Sequence, residues 1–189
     1  MPASERPVRA DAARNRARVL DVAYQTFAAD GLSVPIDEIA RRAGVGAGTV
    51  YRHFPTKEAL FRAVIADRMR HIIDDGRALL GSEQPGEALF VFLRSMVLRW
   101  GAADRGLVEA LAGAGIEIDG AAPDAEEEFM GLLAELLRAA QQVGTARSDV
   151  TVPHVKTLLV GCQAMQSYNA ELAERVTDVA LDGLRRSQS

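Results

Sequence analysis

Apolar residues recur along this chain at steps of three and four, in blocks separated by glycine and proline, the period of helices buried along one side. The first block predicts a helix from about Asp11 to Ala29, with Val19, Leu20, Ala23 and Phe27 inward. Gly31 falls just past its end, where a left-handed residue is favoured. Ile36, Ile39, Ala40 and Ala43 then share one face of a short helix, and Gly44-Val45-Gly46 supplies a tight turn. A second short helix runs from Ala47 to about His53 and stops before Phe54-Pro55, because the residue before proline avoids the helical region.

Beyond this, the spacing of Phe61, Val64, Ile65, Met69, Ile72 and Ile73 predicts a long helix from Lys57 to about Leu80. A loop over 81–86 precedes a helix from Glu87 to Trp100, apolar on most of its surface and therefore central. A shorter helix from Asp104 to about Ala114 and a loop to Pro123 lead into a helix over Asp124–Gln142, with Phe129, Leu133, Leu136 and Ala140 inward. Two last helices are expected near Pro153–Tyr168 and Ala170–Arg186. On the first, Val155, Leu158, Leu159, Cys162 and Met165 form one stripe, and Thr157, Gly161, Ala164 and Tyr168 a second face of mostly small residues. On the other, Leu172, Val176, Val179, Ala180, Gly183 and Leu184 align. Apolar surface on two sides asks for a second partner, although packing within one chain could use much of it. No run has the period-two alternation of strands, so the fold class is all-α.

Composition sharpens the division. The 189 residues are 48% hydrophobic and carry a net charge of -4. That average hides an asymmetry: residues 1–62 hold 10 Lys and Arg against 7 Asp and Glu, a net of +3, and the remainder 12 against 19, a net of -7. A basic end able to meet phosphates is joined to an acidic body that is not. The single cysteine, Cys162, allows no internal disulfide and suits a reducing compartment. The first residues lack the apolar centre of a signal peptide, and no run approaches the roughly 18 apolar residues of a membrane helix. A cytoplasmic protein without membrane contact is expected.

Two short helices about a glycine-bearing turn form a helix-turn-helix, which sets its second helix in the major groove of DNA. The rival reading of Gly44, Gly46 and Gly48 as a dinucleotide-binding loop requires a preceding strand, whereas the residues before Gly44 have a helical period. The stretch from Arg14 to Leu60 resembles the DNA-binding domain of the TetR family of transcriptional regulators. The resemblance lies in Val19-Leu20, Ala23, Phe27 and Gly31, then Ile39-Ala40, Ala43-Gly44-Val45, Gly48-Thr49, Tyr51, His53-Phe54, Lys57 and Leu60. It departs from the family at two helix starts: Pro35 and Gly46 stand where a capping hydroxyl is common, and Ser33 is the alternative cap for the second helix.

The resemblance implies a helix-turn-helix domain over 14–56, after a mobile basic tail over 1–13, and a larger helical ligand-binding and dimerisation domain over 57–189. In it Ala47 and Gly48 occupy positions that face base edges, and Thr49, Tyr51, His53 and Lys57 match phosphate-contacting positions. Since Ala47 and Gly48 cannot hydrogen-bond a base, reading falls to Thr49, Tyr51 and Arg52, whose guanidinium can pair with guanine. Tyr51 could instead pack between helices. Arg14, Arg16 and Arg18 resemble backbone contacts, while Arg6 and Arg9 fit either a DNA-touching arm or a solvated leader. The last two helices would build a four-helix bundle joining two copies.

The family also implies an effector held by the larger domain, with Phe92, Met96, Arg99, Trp100, Phe129, Cys162, Met165 and Gln166 as candidate lining. Such a lining suits a hydrophobic or aromatic effector, with an anionic group as one option. Most of these residues could equally be core; Arg99 and Gln166 are the informative ones, being polar on apolar faces. No cofactor or metal is expected: His53, His71 and His154 are scattered with no second histidine or cysteine at helical offsets, and Cys162 has no base nearby. No serine sits in a nucleophile elbow, so an enzyme has nothing to rest on. The reading is a homodimeric repressor released from a palindromic double-stranded operator by a small molecule. The second reading is a small-molecule-binding or enzymatic all-α domain with a vestigial helix-turn-helix.

Overall fold

The computed structural model describes residues 5–81, 84–100 and 122–186, with side chains from residue 11 onward except Trp100 and Ser167. Every named element among them is helical: α1 (Glu5–Asp30), α2 (Ile36–Arg42), α3 (Ala47–His53), α4 (Lys57–Leu80), α5 (Pro85–Ser95) with a π-helical turn (Met96–Trp100), α6 (Pro123–Gln142), α7 (Val152–Tyr168) and α8 (Ala173–Asp182). The helix expected over 104–114 and its following loop lie outside the described residues. The chain divides into two compact units, with a boundary at Arg68/Met69 inside α4 rather than before it.

The first unit holds α1 to α3 and the start of α4. Its core is Val19, Leu20, Ala23 and Phe27 of α1, Ile39 and Ala40 of α2, Val50 of α3, and Leu60 and Phe61 of α4, each at most 3% exposed. Each large side chain so buried contributes about 1.5–3 kcal/mol. α1 starts at Glu5, so residues 5–13, expected as a mobile tail, belong to a helix. Pro7 does not forbid this, because the first four N–H groups of a helix lack an internal acceptor and proline removes only one of them. The residues after it, alanine and arginine, favour the helix.

The turn between α2 and α3 follows from Gly44, whose φ of +65° lies in the left-handed region. Its N–H donates to the Arg41 carbonyl at 3.1 Å, and Val45 N–H to the Ala40 carbonyl at 3.0 Å. These are the two bonds of a Schellman motif, which close α2 and redirect the chain. Neither Pro35 nor Gly46 provides a side-chain cap. α4 has one: Ala59 N–H donates to Thr56 Oγ1 at 3.0 Å, a cap the sequence reading passed over.

In the second unit α5 is nearly surrounded, with Ala88, Leu89, Phe90, Phe92 and Leu93 all buried. Gly76 of α4 makes this possible, since a Cβ there would stand 2.5 Å from Leu132 Cδ2 and 2.8 Å from Phe92 Cε2. α8 ends at Asp182, four residues before the expected Arg186. The chain there leaves the helix to pair with another segment: Arg147 N–H donates to the Leu184 carbonyl and Arg186 N–H to the Thr145 carbonyl, both at 3.0 Å. Arg185 fastens the end, donating from both terminal nitrogens to the Glu87 carboxylate at 2.9 Å with its guanidinium 3.8 Å from the Phe90 centroid.

The faces of the last two helices also need correction. α8 turns Ala173, Thr177, Leu181 and, beyond its end, Leu184 inward, while Leu172 and Val179 are 52% and 67% exposed. Of the stripe predicted inward on α7, Val155, Leu159 and Cys162 are buried but Met165 is 39% exposed. Met165 sits three residues past Cys162 and Gln166 four, and the longer step continues the buried line.

Candidate nucleic-acid interface and ligand site

α3 has only seven residues, so one anchor decides which way it faces. That anchor is Val50, fully buried at 0% exposure. At 100° per residue, Gly48 and Arg52 lie about 160° to 200° from Val50, opposite the core. Both are exposed, as are Tyr51 and His53, while Ala47, Thr49 and Lys57 are half-buried at the margins. Tyr51 is 44% exposed, so it does not serve as interhelical packing. The seven sequence-derived candidates therefore flank one face of α3 and the start of α4.

The charges around this face differ in their freedom. Arg41 is held by Glu38 through two hydrogen bonds of 2.7 Å, and Arg42 bonds both Glu38 and Asp30. Arg14 pairs with Asp11 and Arg62 with Glu58. The Arg16 guanidinium lies 5.6 Å from the centroid of Phe54, which closes α3. Arg52 makes no hydrogen bond or ion pair among the described residues. Lys57 opens α4 beside it, its ammonium pushed below the ordinary lysine value by partial burial. Gly48 is not required by the described fold, because a Cβ there would meet nothing within 4 Å among the described residues. A glycine inside a helix costs about 1 kcal/mol relative to alanine. The centre of this face is thus uncrowded and flanked by a guanidinium, a phenol and an imidazole, all exposed.

In the second unit the ligand candidates separate into two groups. Phe92, Met96, Phe129 and Cys162 share the main core cluster, with Phe92 and Phe129 ring centroids 6.1 Å apart. Burial pushes the Cys162 thiol up, which favours its neutral form. Gln166 is only 6% exposed. Arg99 and Met165 instead face outward, and Trp100 enters only through the backbone of the π-helical turn. Lys156 was missed: its Nζ stands 5.3 Å over the Phe129 ring, and its place next to Val155 on the buried stripe was the available signal. Among the described residues no helix is long and apolar enough to cross a membrane.

Residues 19–64 match the family model described as bacterial regulatory proteins, tetR family, and residues 84–186 match the C-terminal domain model of SbtR-like transcriptional regulators. A TetR transcription regulatory protein from Mycobacterium vanbaalenii is 62% identical, with a TM-score of 0.78 over 95% of this chain and 100% of that one. A TetR transcriptional regulator from Streptomyces coelicolor is 33% identical, with a TM-score of 0.73 over 92% and 99% of the two chains. The HTH-type transcriptional regulator SrpR of Pseudomonas putida is 39% identical over 93 residues, a stretch covering 49% of this chain and only 44% of that protein.

Proposed function

The chain belongs to the TetR family of transcriptional regulators, and we propose that it is a homodimeric repressor, released from a palindromic operator by a small-molecule effector. The observation that carries this reading is the α3 face, where Arg52, unpaired among the described residues, and the open Gly48 lie opposite a fully buried anchor. Residues 14–56 would present that face to the major groove, and 57–189 would bind the effector and pair the subunits. Ala47 and Gly48 allow contact with the groove floor, Thr49, Tyr51 and Arg52 read bases, and His53 and Lys57 hold phosphates. The effector would be hydrophobic or aromatic, set among Phe92, Met96, Phe129, Cys162 and Gln166.

α4 offers the route from effector to DNA. It is one unbroken helix of 24 residues that opens with Lys57 and carries Gly76 against Phe92. An effector that displaces Phe92 would push on Gly76 and shift the helix along which Lys57 is mounted. The free energy of coupling in such systems is about 1–3 kcal/mol, a change in operator affinity of about fivefold to 150-fold. The test is to recover bound genomic fragments, measure operator affinity by fluorescence anisotropy, and repeat with compounds that raise the melting temperature. Weaker operator binding is expected for the effector. A protein that recovers no palindromic DNA, or whose stabilising compounds all leave operator affinity untouched, refutes the reading.

A further inference from the structure

The inward line of α7 is Val155, Leu159, Cys162 and Gln166, three apolar positions and one amide, all 6% exposed or less. A buried carboxamide without a hydrogen bond costs about 1–3 kcal/mol. Among the described residues Gln166 makes none. α8, which packs on α7, carries a second such group: the Thr177 hydroxyl is 1% exposed and also makes no bond there. A mid-helix threonine ordinarily satisfies itself on the carbonyl four residues back. Both helices pack against the turn Met96–Trp100, which departs from α-helical winding. π-helical turns are uncommon and concentrate at functional sites.

We propose that Gln166 is the polar anchor of the effector site, supported by Thr177, and that the effector is an uncharged apolar or aromatic molecule bearing one carbonyl, hydroxyl or amide. This rests on the effector reading above and narrows it. The anionic option loses ground because no described cation is placed beside the Gln166 amide. Arg94 is engaged by Asp178 and Glu174, Arg99 is exposed, and Lys156, whose ammonium lies over the Phe129 ring, is rooted ten residues back along α7, about 15 Å of helical rise from Gln166. An ionised group brought here would be buried unpaired, whereas a neutral amide or hydroxyl matches both the donor and the acceptor of Gln166.

The test measures displacement of Nile red from the full-length protein by 2-naphthamide, 2-methylnaphthalene and 2-naphthoate, which share one ring system. The amide is expected to bind about five- to tenfold more tightly than the hydrocarbon, the worth of one neutral hydrogen bond, with the carboxylate weaker than the amide. In Gln166→Leu, and in the nearly isosteric Gln166→Met, the ratio of amide to hydrocarbon affinity should fall to about one, with melting temperature kept or raised. An unchanged ratio in both variants, tightest binding by the naphthoate, or no displacement by any of the three overturns the proposal. So does a marked loss of melting temperature in both variants, which would mean that Gln166 is bonded within the protein. Operator release is scored separately. A Gln166-dependent preference without release supports the anchor and refutes its role as effector site, and release without that dependence does the reverse.

Discussion

The Phe61 ring of α4 lies 5.9 Å from that of Phe27 of α1, tilted by 54°, and both are at most 3% exposed. This contact ties the start of α4 to the helix that supports α2 and α3. A unit of this size buries little surface per residue and depends on few large side chains. Phe61→Ala is expected to cost about 3–5 kcal/mol, by lost transfer energy and by the cavity left behind. Urea unfolding followed by circular dichroism should show a lowered first transition together with lost DNA binding. A change below about 1 kcal/mol would mean that α4 is not part of this core.

Hydrogen bonds from Arg41 and then Arg42 hold the Glu38 carboxyl at about 2, against an ordinary 4.5. A carboxyl lowered in the folded state stabilises it fully above its ordinary value and loses that contribution as pH falls from about 4.5 through about 2. The side-chain carbon shift of Glu38 should therefore titrate near the lower value, and Glu38→Gln should flatten the acid limb of the stability profile. A midpoint near the ordinary value would show that the pairing does not persist in solution.

The helix-turn-helix was legible because its signals are local. Ile36, Ile39 and Ala40 point one way for one reason, and Gly44 admits a conformation that other residues resist. The extent of α1 was less so, since Pro7 reads as a breaker until its place in the first turn is known. α8 shows a deeper limit. Leu172, Val176 and Val179 form as good a helical stripe as Ala173, Thr177 and Leu181, and periodicity cannot say which one turns inward. The face that turns inward leads into the pairing of Arg185 with Glu87 and Ala146, across a separation no local pattern records. Gln166 stood out as a polar residue on an apolar line, but its lack of a partner required coordinates.

The surface left outside on α7 and α8 bears on assembly. Val160, Met165, Tyr168, Leu172 and Val179 are exposed by 39% to 93%, and a Cβ at Gly161 on α7 would meet nothing within 4 Å among the described residues. Apolar residues grouped on adjoining helices mark an interface, and a symmetric dimer would bring each face onto its copy. Gly161→Glu would place like charges at that contact without disturbing the protomer's own core. Sedimentation equilibrium should give a dimer for the wild type at micromolar concentration and a monomer for the variant. Equal masses for the two would remove this face from the interface.

Arg52 and Lys57 permit the sharpest test of the DNA face, because they should act in different ways. In a dimer on a palindrome, two α3 helices would enter successive major grooves about 34–36 Å apart. Arg52 lies opposite the buried Val50, so in the proposed complex it would aim at the groove floor, where a guanidinium can pair with guanine through two hydrogen bonds. Lys57 sits at the margin, half-buried at the start of α4, and would supply charge without base information. Arg52→Ala should cost about 1–3 kcal/mol on the operator and little on random DNA. Lys57→Ala should weaken binding alike on all sequences and reduce the salt slope by about one unit per half-site, since one fewer counterion is released. Anisotropy titrations over a range of salt, on operator and on scrambled DNA, separate the two effects. An Arg52→Ala variant that loses equally on both DNAs would make Arg52 a phosphate contact, and an unaltered salt slope in Lys57→Ala would take Lys57 off the backbone.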